Sequence, residues 1–309
     1  MKSRKVNLSS SLQHQSPAPS VDRLSGLLAH FRVQASLFHS GLLCGTNTFD
    51  AIPGRAFLHV LRRGSMQVRH PAMQGVEPVL ALNEPSLLLY TRPLAHVFVN
   101  PPEEGSDFTC ATLDFDGGER NPFVAALPPV VWVPLREVAG LQPALDLLFA
   151  ETEKMHCGSR LIANRLFEVV LIQLLRWILD HPHKVGVSHG LILGLADARL
   201  AKTLVALHQL PGEPWSLASM AQTAAMSRSA FAAAFRQVTG MTPAAYLADW
   251  RLTLASTMIR DKRPLKLIAM ELGFASASSL SRAFSLRFGM SPRQWAQMQS
   301  APAVFMSGY

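Results

Sequence analysis

Two kinds of apolar spacing divide the chain into a β-rich part and a helical part. Between residues 21 and 135, short apolar runs are separated by turn signals such as Pro53-Gly54 and Arg63-Gly64. Beyond residue 140, apolar residues recur three and four positions apart, the spacing of a helix face. Many short strands with turns between them are typical of a β-sandwich or jelly-roll barrel. The pattern predicts an α+β multidomain chain in which a barrel precedes an all-α part.

The β-rich part predicts one short helix over residues 22–31 and a series of strands. Strands are expected at residues 35–43, 56–62, 65–70, 86–91, 96–99 and 108–115. In front of this part, residues 1–20 are rich in Ser, Gln and Pro, a composition that favours a disordered tail.

Two helices are predicted between the barrel and the last third of the chain. The first carries Leu141, Leu145 and Leu148 on one stripe, and the second covers residues 161–179. The second helix is apolar over more than the roughly 100° face that one-sided burial requires. We expect part of it to pack on the barrel and part on a second copy in a homodimer; burial wholly within its own chain is the alternative. Residues 181–194, interrupted by proline and glycine, are expected to form a linker.

The last third of the chain contains one pattern twice, 49 residues apart. The first copy consists of Ser227, Phe231, Phe235, Gly240 and Pro243, and the second of Ser276, Leu280, Phe284, Gly289 and Pro292. Serine caps a helix start, glycine adopts the left-handed conformation after a helix end, and proline follows closely. A second short helix precedes each copy, at about residues 217–223 and 265–272. The pattern therefore predicts two helix-turn-helix units joined by a longer helix at about residues 243–260.

Positive charge is concentrated in the same region. Residues 196–300 hold nine Arg and three Lys against three Asp and two Glu, a net charge of +7, whereas the whole chain carries +8. A charge placed so unevenly indicates a polyanionic partner for the C-terminal part. A merely basic, solubilising surface is the alternative.

The repeated residues resemble the DNA-binding domain of AraC/XylS-type transcription regulators. The resemblance rests on Ala221, Ser227, Phe231, Phe235 and Gly240-x-x-Pro243, followed by Ala269, Gly273-Phe274, Ser276, Phe284 and Gly289-x-x-Pro292. It covers about 100 residues and implies a seven-helix domain that places one helix of each repeat in successive major grooves of promoter DNA. It also implies RNA polymerase as a partner, because this family usually activates transcription.

The exposed faces of the two capped helices are the candidates for base contacts. They are Arg228, Ser229, Ala232, Ala233 and Arg236 in the first helix, and Ala277, Ser278, Ser279, Ser281 and Arg282 in the second. Arg282 is the strongest candidate, since arginine pairs bidentately with guanine O6 and N7; a phosphate contact is its alternative role. Two alanines can touch only a thymine methyl. The first helix is therefore expected to read less of the base sequence directly, and recognition there is expected to depend more on Arg228, Arg236 and DNA shape.

The β-rich part resembles the cupin-type sensor domain that precedes this DNA-binding domain in many such regulators. The resemblance rests on residues 57–64 (FLHVLRRG), on residues 82–89 and on Pro93-x-x-His96. Glu84-Pro85 stands where the family has a Gly-Asp turn, and the His-x-His pair of metal-dependent cupin enzymes is missing. We expect a tail at 1–20, a sensor domain at 21–137, a helical dimerisation and linker region at 138–195, and the DNA-binding domain at 196–300.

Cysteines and histidines in the β-rich part are candidates for sensing an unidentified small effector, a metal ion or a redox signal. They are Cys44, Cys110, His39, His59 and His96. The resemblance suggests that Cys44 and Cys110 stand where some cupin-type regulators carry redox-active cysteines. A cysteine pair distant in sequence can meet as a disulfide, or bind a metal with histidine. Burial as small apolar residues is the alternative.

Composition narrows the class of protein further. Three cysteines do not make a secreted disulfide framework, and Met1 to Ser20 lacks the apolar core of a secretory signal. Charges at Arg165, Glu168 and Arg176 interrupt the most apolar helix, so no membrane span is expected and the protein is predicted to be cytoplasmic. A sequence-specific regulator is the leading interpretation. A cupin-type metal-dependent enzyme and a non-specific architectural DNA-binding protein are the alternatives.

Overall fold

A computed structural model describes residues 21–154 and 156–300, with side chains up to residue 298. The tail predicted at residues 1–20 lies outside the described residues. After a short helix α1 (Ser25–His30), nine strands form the N-terminal part. They are β1 (Val33–Leu43), β2 (Thr46–Phe49), β3 (Ala56–Arg63), β4 (Met66–Arg69), β5 (Val79–Leu82), β6 (Ser86–Tyr90), β7 (His96–Val99), β8 (Ser106–Phe115) and β9 (Val130–Pro134). The short helix α2 (Pro122–Ala126) lies between β8 and β9.

Two antiparallel sheets face each other, which confirms the predicted barrel-like fold. The five-stranded sheet has the order β1-β8-β3-β6-β9, and the four-stranded sheet has the order β2-β7-β4-β5. Alternate residues of β3 point to opposite sides: Phe57 and Leu61 join the core between the sheets, and Leu58 and Val60 join the core under the helices. Because both faces of the larger sheet are covered, β3 and β6 are apolar almost without alternation.

Three strands were not predicted. β2 and β5 have only four residues each, and β9 follows two prolines, Pro128 and Pro129, that argue against a strand. β9 is an edge strand of its sheet, and an edge is where proline is tolerated because one side of the strand needs no hydrogen bonds.

The two predicted middle helices are present as α3 (Gln142–Glu153) and α4 (Ser159–Asp180). Helix α4 lies along the free edge of β1 and satisfies its backbone. The Leu37 N–H donates to Asn164 Oδ1 at 2.8 Å, and the Ala35 N–H donates to Glu168 Oε1 at 3.4 Å. An exposed strand edge is a site of unwanted pairing, so these polar side chains protect the sheet.

The expected linker is partly helical. Helix α5 begins within it and covers Leu191–Ala196. A Cβ on Gly194 would lie 2.7 Å from Leu204 Cδ1 and 3.3 Å from Thr239 Cγ2. The missing side chain at Gly194 therefore allows α5 to pack closely against helices of the last third of the chain.

Seven helices follow in the described part of the last third, the number that the family resemblance implies. They are α6 (Ala201–Gln209), α7 (Leu217–Thr223), α8 (Arg228–Thr239), α9 (Pro243–Arg260), α10 (Leu265–Glu271), α11 (Ala277–Phe288) and α12 (Pro292–Ser300). Helices α7 and α8 form the first helix-turn-helix unit, α10 and α11 form the second, and α9 joins them. No helix in the described ranges is both long and apolar enough to cross a membrane.

The N-terminal part contacts the joining helix α9 and the last helix α12. The Phe31 ring lies 5.5 Å from the Trp250 ring, and Arg260 Nη2 lies 3.4 Å from Asp116 Oδ1. The Arg120 guanidinium stacks on Trp295 at 4.4 Å. The barrel is therefore in physical contact with the helices that support both helix-turn-helix units.

Candidate nucleic-acid interface

Helix α8 is shaped by the first copy of the repeated pattern. The Ser227 hydroxyl accepts a hydrogen bond from the Ala230 N–H at 3.3 Å and caps the helix. Phe231 and Phe235 are fully buried, and Gly240 ends the helix with a φ of 78°. One side of α8 is therefore held in the core, and the opposite side is left for a partner.

Helix α11 repeats this construction with a stronger cap. The Ser276 hydroxyl accepts from the Ser279 N–H at 3.1 Å, and the Ser276 N–H donates to the Ser279 hydroxyl at 3.0 Å. This capping box satisfies two backbone donors that a helix start otherwise leaves free. Leu280 and Phe284 are buried, and Gly289 closes the helix with a φ of 72°.

The structure exposes most of the side chains predicted to contact bases. Exposed are Arg228, Ser229, Ala233 and Arg236 on α8, and Ser278 and Arg282 on α11, whereas Ala232, Ala277, Ser279 and Ser281 are half-buried. The Ser279 hydroxyl accepts from the Ser276 N–H in the capping box and donates to the Ser276 carbonyl at 2.8 Å, so its one O–H donor is already used. Arg236 and Arg282 form no ion pair within the described ranges.

Helix α9 holds the two units in one body. Its residues Leu247, Trp250, Leu254 and Ile259 are buried, as expected for an anchor to both units. The Arg287 guanidinium of α11 pairs with Asp249, a contact that no local sequence pattern predicts. Eighteen residues of α helix span roughly 27 Å, so α9 sets the separation of the two units.

Arg251 of α9 holds the loop that leads into the first helix-turn-helix unit. Its Nε donates to the Pro211 carbonyl at 2.7 Å, and its Nη2 donates to the Glu213 carbonyl at 2.9 Å. The loop that leads into α7 is thereby fixed on the joining helix.

Two of the sensor candidates meet inside the barrel. His59 on β3 and His96 on β7 belong to facing sheets, are 0% and 1% exposed, and bring their Nε2 atoms to 3.1 Å from each other. Burial lowers the pKa of His59 well below its ordinary value, and the neighbouring His96 lowers it further. Burial also lowers the pKa of His96 to about 4. Both imidazoles are therefore neutral near pH 7.

Hydrogen bonds determine which nitrogens of this pair carry protons. His96 Nδ1 lies 2.9 Å from the Leu94 carbonyl, which can only accept, so Nδ1 carries the proton and Nε2 has a free lone pair. His59 Nε2 then donates to His96 Nε2, and His59 Nδ1 is left bare. That atom is buried and has no hydrogen-bond partner in the described part of the chain. Aromatic rings enclose the pair, with Tyr90 stacked on His96 at 3.9 Å and Phe49 at 4.9 Å.

The other sensor candidates are farther apart. Cys44 is exposed and follows β1, whereas Cys110 is fully buried on β8, where burial raises the pKa of its thiol. Leu43 pairs with Ser106, so Cys110 lies four residues farther along β8, roughly 14 Å at ~3.4 Å per residue. A disulfide needs Cα atoms within about 7 Å, so this fold does not bring the two cysteines together as a pair.

Cys110 is instead a cross-strand neighbour of histidines. It pairs with His59 on β3 and with His39 on β1. His39 is half-buried, and its Nε2 lies 3.3 Å from the Gly41 carbonyl. No group of three or more potential metal-binding residues converges within the described ranges.

Comparison with known families agrees with this two-part architecture. Residues 22–180 match the family described as Cupin, and residues 220–298 match the family described as Helix-turn-helix domain. The class that these matches define is a DNA-binding transcription regulator with a cupin domain.

Full-length relatives place the chain more narrowly. A putative AraC-like transcription regulator of Streptomyces lividans is 31% identical over 311 residues, which cover 92% of this chain and 99% of the relative. The RCS-specific HTH-type transcriptional activator RclR of Escherichia coli K12 is 28% identical over 77% of this chain and 82% of its own length. The chain belongs to the AraC-like family of transcription regulators. These relatives are named as regulators, which excludes the enzyme alternative.

Solved structures with similar folds include ToxT from Vibrio cholerae. ToxT is 10% identical, with 89% of this chain and 100% of ToxT covered at a TM-score of 0.39. The DNA-binding domain of AdpA, solved with a target DNA, is 25% identical over 32% of this chain and 89% of that domain, at a TM-score of 0.31.

Proposed function

We propose that this regulator is a cytoplasmic, sequence-specific activator whose helices α8 and α11 bind successive major grooves on one face of promoter DNA. The observation that carries the proposal is the pair of capped helices, each buried on one face and exposed on the other, on a common support. Docking both helices on one face requires them to sit about one DNA turn apart, roughly 34–36 Å.

Arginines supply most of the proposed polar contacts. Arg282 is exposed on α11 without an ion-pair partner among the described carboxylates, so its fork is free for guanine O6 and N7. Arg228 and Arg236 are exposed on α8 and suit phosphate or guanine. The free N–H groups at the starts of both helices suit phosphate as well.

The experiment compares binding to the cognate promoter with binding to random DNA, at several salt concentrations. We expect promoter preference in the wild-type chain and its loss in Arg282→Ala, with non-specific binding retained because the other cations remain. Arg199→Ala is the matched control, because it removes an arginine that is paired with Asp197 and lies outside both helix-turn-helix units. Equal affinity of the wild-type chain for promoter and random DNA would favour an architectural protein instead.

A homodimer is proposed through the outer face of α4. Leu161 is 62% exposed, Val169 is 40% exposed, and Ile162 is 38% exposed, although the helix packs on β1 and α3 with its other side. Exposed apolar residues clustered on one helix face are characteristic of an interface. Sedimentation of the full chain tests this: Leu161→Glu combined with Val169→Glu is expected to give a monomer that still binds a single site.

The cupin domain is proposed to sense a small effector, a metal or a redox signal. The His59–His96 pair supports a metal ion, because a carbonyl bond at Nδ1 is the usual arrangement of a metal-binding histidine. The His96 Nε2 lone pair, which accepts the hydrogen bond from His59, would bind the metal instead. Cys110 is an additional candidate ligand on the neighbouring strand. Metal analysis of the purified chain and of His96→Phe tests this proposal.

A redox signal would act on Cys44, the exposed thiol, and mass spectrometry after mild oxidation would detect it.

Activation is proposed to proceed through RNA polymerase. It is supported by the name of the Escherichia coli relative, a transcriptional activator. In-vitro transcription with purified polymerase is expected to show more product from the promoter when the chain is added. A decrease would identify a repressor.

A further inference from the structure

The two helix-turn-helix units differ in chemistry at equivalent positions. The 49-residue repeat aligns Ala232 with Ser281 and Ala233 with Arg282. The second unit thus presents a hydroxyl and a guanidinium where the first presents only methyl groups.

The first unit has an apolar groove on this face. A cavity of about 650 Å³ lies between α7, α8 and α9. Its lining includes Leu217, Ala232, Ala233, Arg236, Ala244 and Ala248. The turn before α11 has one residue more than the turn before α8, so α7 and α10 correspond at a spacing of 48 residues. The equivalent positions of the second unit are Leu265, Ser281, Arg282, Ser285, Arg293 and Gln297. Three of the five apolar positions in this set thus carry a charged or amide side chain in the second unit, the fourth carries serine, and the fifth, Leu217, has an apolar counterpart.

The groove is framed by groups that suit DNA. Arg236 is exposed at the groove and has no carboxylate partner in the described ranges, whereas the Arg251 guanidinium is held by backbone carbonyls. Residues 196–300 carry a net charge of +7, which complements a polyanion. Leu217 is 42% exposed and adds to the apolar surface of the groove. At the positions of Ala232 and Ala233 the second unit presents polar side chains instead.

We propose that this groove, formed around Ala232 and Ala233, recognises thymine methyl groups, so that the first unit selects a thymine-rich half-site while the second selects guanine through Arg282. The thymine C5-methyl is the one apolar group that a base pair displays in the major groove, and a small apolar side chain is its natural contact. The inference rests on the proposed DNA-binding function and specifies its target.

Uracil substitution tests the proposal directly, because deoxyuridine differs from thymidine only by this methyl group. A high-affinity site is selected from random DNA with the full chain, and the half-site bound by the second unit is identified as the one whose preference Arg282→Ala abolishes. Replacing thymines by deoxyuridine in the other half-site is expected to weaken binding about fourfold per contacted methyl. Burying one methylene group contributes ~0.8 kcal/mol, and a tenfold change in affinity corresponds to ~1.4 kcal/mol, which gives this factor. The same replacement in the Arg282 half-site is expected to change little.

Exchanging the side chain provides a second test. Ala233→Arg gives the first unit an arginine at the position that corresponds to Arg282 of the second unit. We expect the half-site preference of the first unit to change from thymine to guanine. Ala230→Ser, on α8 outside the groove, is the matched control. The proposal is overturned if uracil and thymine DNA bind equally, the result expected of a groove that serves a small apolar ligand instead. A chain without any sequence preference would overturn the proposed function itself, so the two failures are distinct.

Discussion

Gly212 lies where the two helix-turn-helix units touch, and its replacement is expected to separate them. It belongs to the loop that Arg251 fixes on α9, and a Cβ at this position would lie 2.2 Å from the Glu271 carbonyl oxygen. Real Cβ contacts essentially never fall below 3.0 Å, so the backbones would have to move apart by about 0.8 Å. The obstacle is main chain rather than a flexible side-chain end, so no rotamer change relieves it.

The cost of Gly212→Ala follows from this geometry. Overpacking typically costs about 1–3 kcal/mol, and we expect the urea midpoint of the DNA-binding part to fall accordingly. We also expect the strain to displace the second unit, because Glu271 ends α10. Affinity for DNA with both half-sites should then fall by about tenfold, corresponding to ~1.4 kcal/mol, while affinity for a single half-site changes little.

Gly240→Ala is the control for this prediction. Gly240 has a φ of 78°, and a Cβ at this position would have no neighbouring atom within 4 Å, so alanine there meets backbone strain without a clash. This substitution is expected to cost about 1 kcal/mol of stability. The ratio of the affinity for DNA with both half-sites to the affinity for a single half-site should stay unchanged. Equal urea midpoints for Gly212→Ala and the wild-type chain would refute the reasoning, because the loop would then accommodate the added Cβ without a loss of stability.

Three further predictions concern the folded chain. Because the unfolded chain takes up a proton at the ordinary histidine pKa of 6.5 and the folded His96 only at about 4, the free energy of unfolding should fall as pH is lowered between these values. The slope contributed by this group should reach ~1.4 kcal/mol per pH unit, and urea midpoints should show a shallower dependence in His96→Phe than in the exposed control His189→Asn. Ser276→Ala removes the capping box of α11 and should cost about 1 kcal/mol of stability, measured by urea unfolding, with restoration by Asp. Phe284→Ala empties the core of the second unit and should cost about 3–5 kcal/mol; retention of cooperative melting at the wild-type temperature would contradict this.

The DNA-binding helices could be located from sequence almost to the residue. The boundaries of α7, α8, α9 and α11 agree with the capping pattern, because a helix start or stop depends on a few adjacent residues. The β-rich part was predicted less completely: β2 and β5 are too short for periodicity to detect, and an edge strand such as β9 tolerates flanking proline.

The candidate functional residues also fall into two groups: those whose position local sequence predicts and those that only the folded chain brings together. Exposure of Arg282 and Arg236 follows from their place opposite a buried helix stripe, which the repeat reveals without coordinates. The meeting of His59 with His96 does not follow from any local signal, since 37 residues separate them and only the facing of two sheets brings them to 3.1 Å. The same holds for the separation of Cys44 from Cys110, which depends on the register of β1 against β8.

Local chemistry was thus enough to establish the repeated units, their caps and their charge, because these features arise between residues a few positions apart. Contacts between distant segments required the packed chain: the pairing of Arg287 with Asp249, the close approach of Gly212 to Glu271, and the groove around Ala233. Hydrophobic burial drives such segments together without specifying partners, so the partners emerge only from the geometry in which all the elements pack at once.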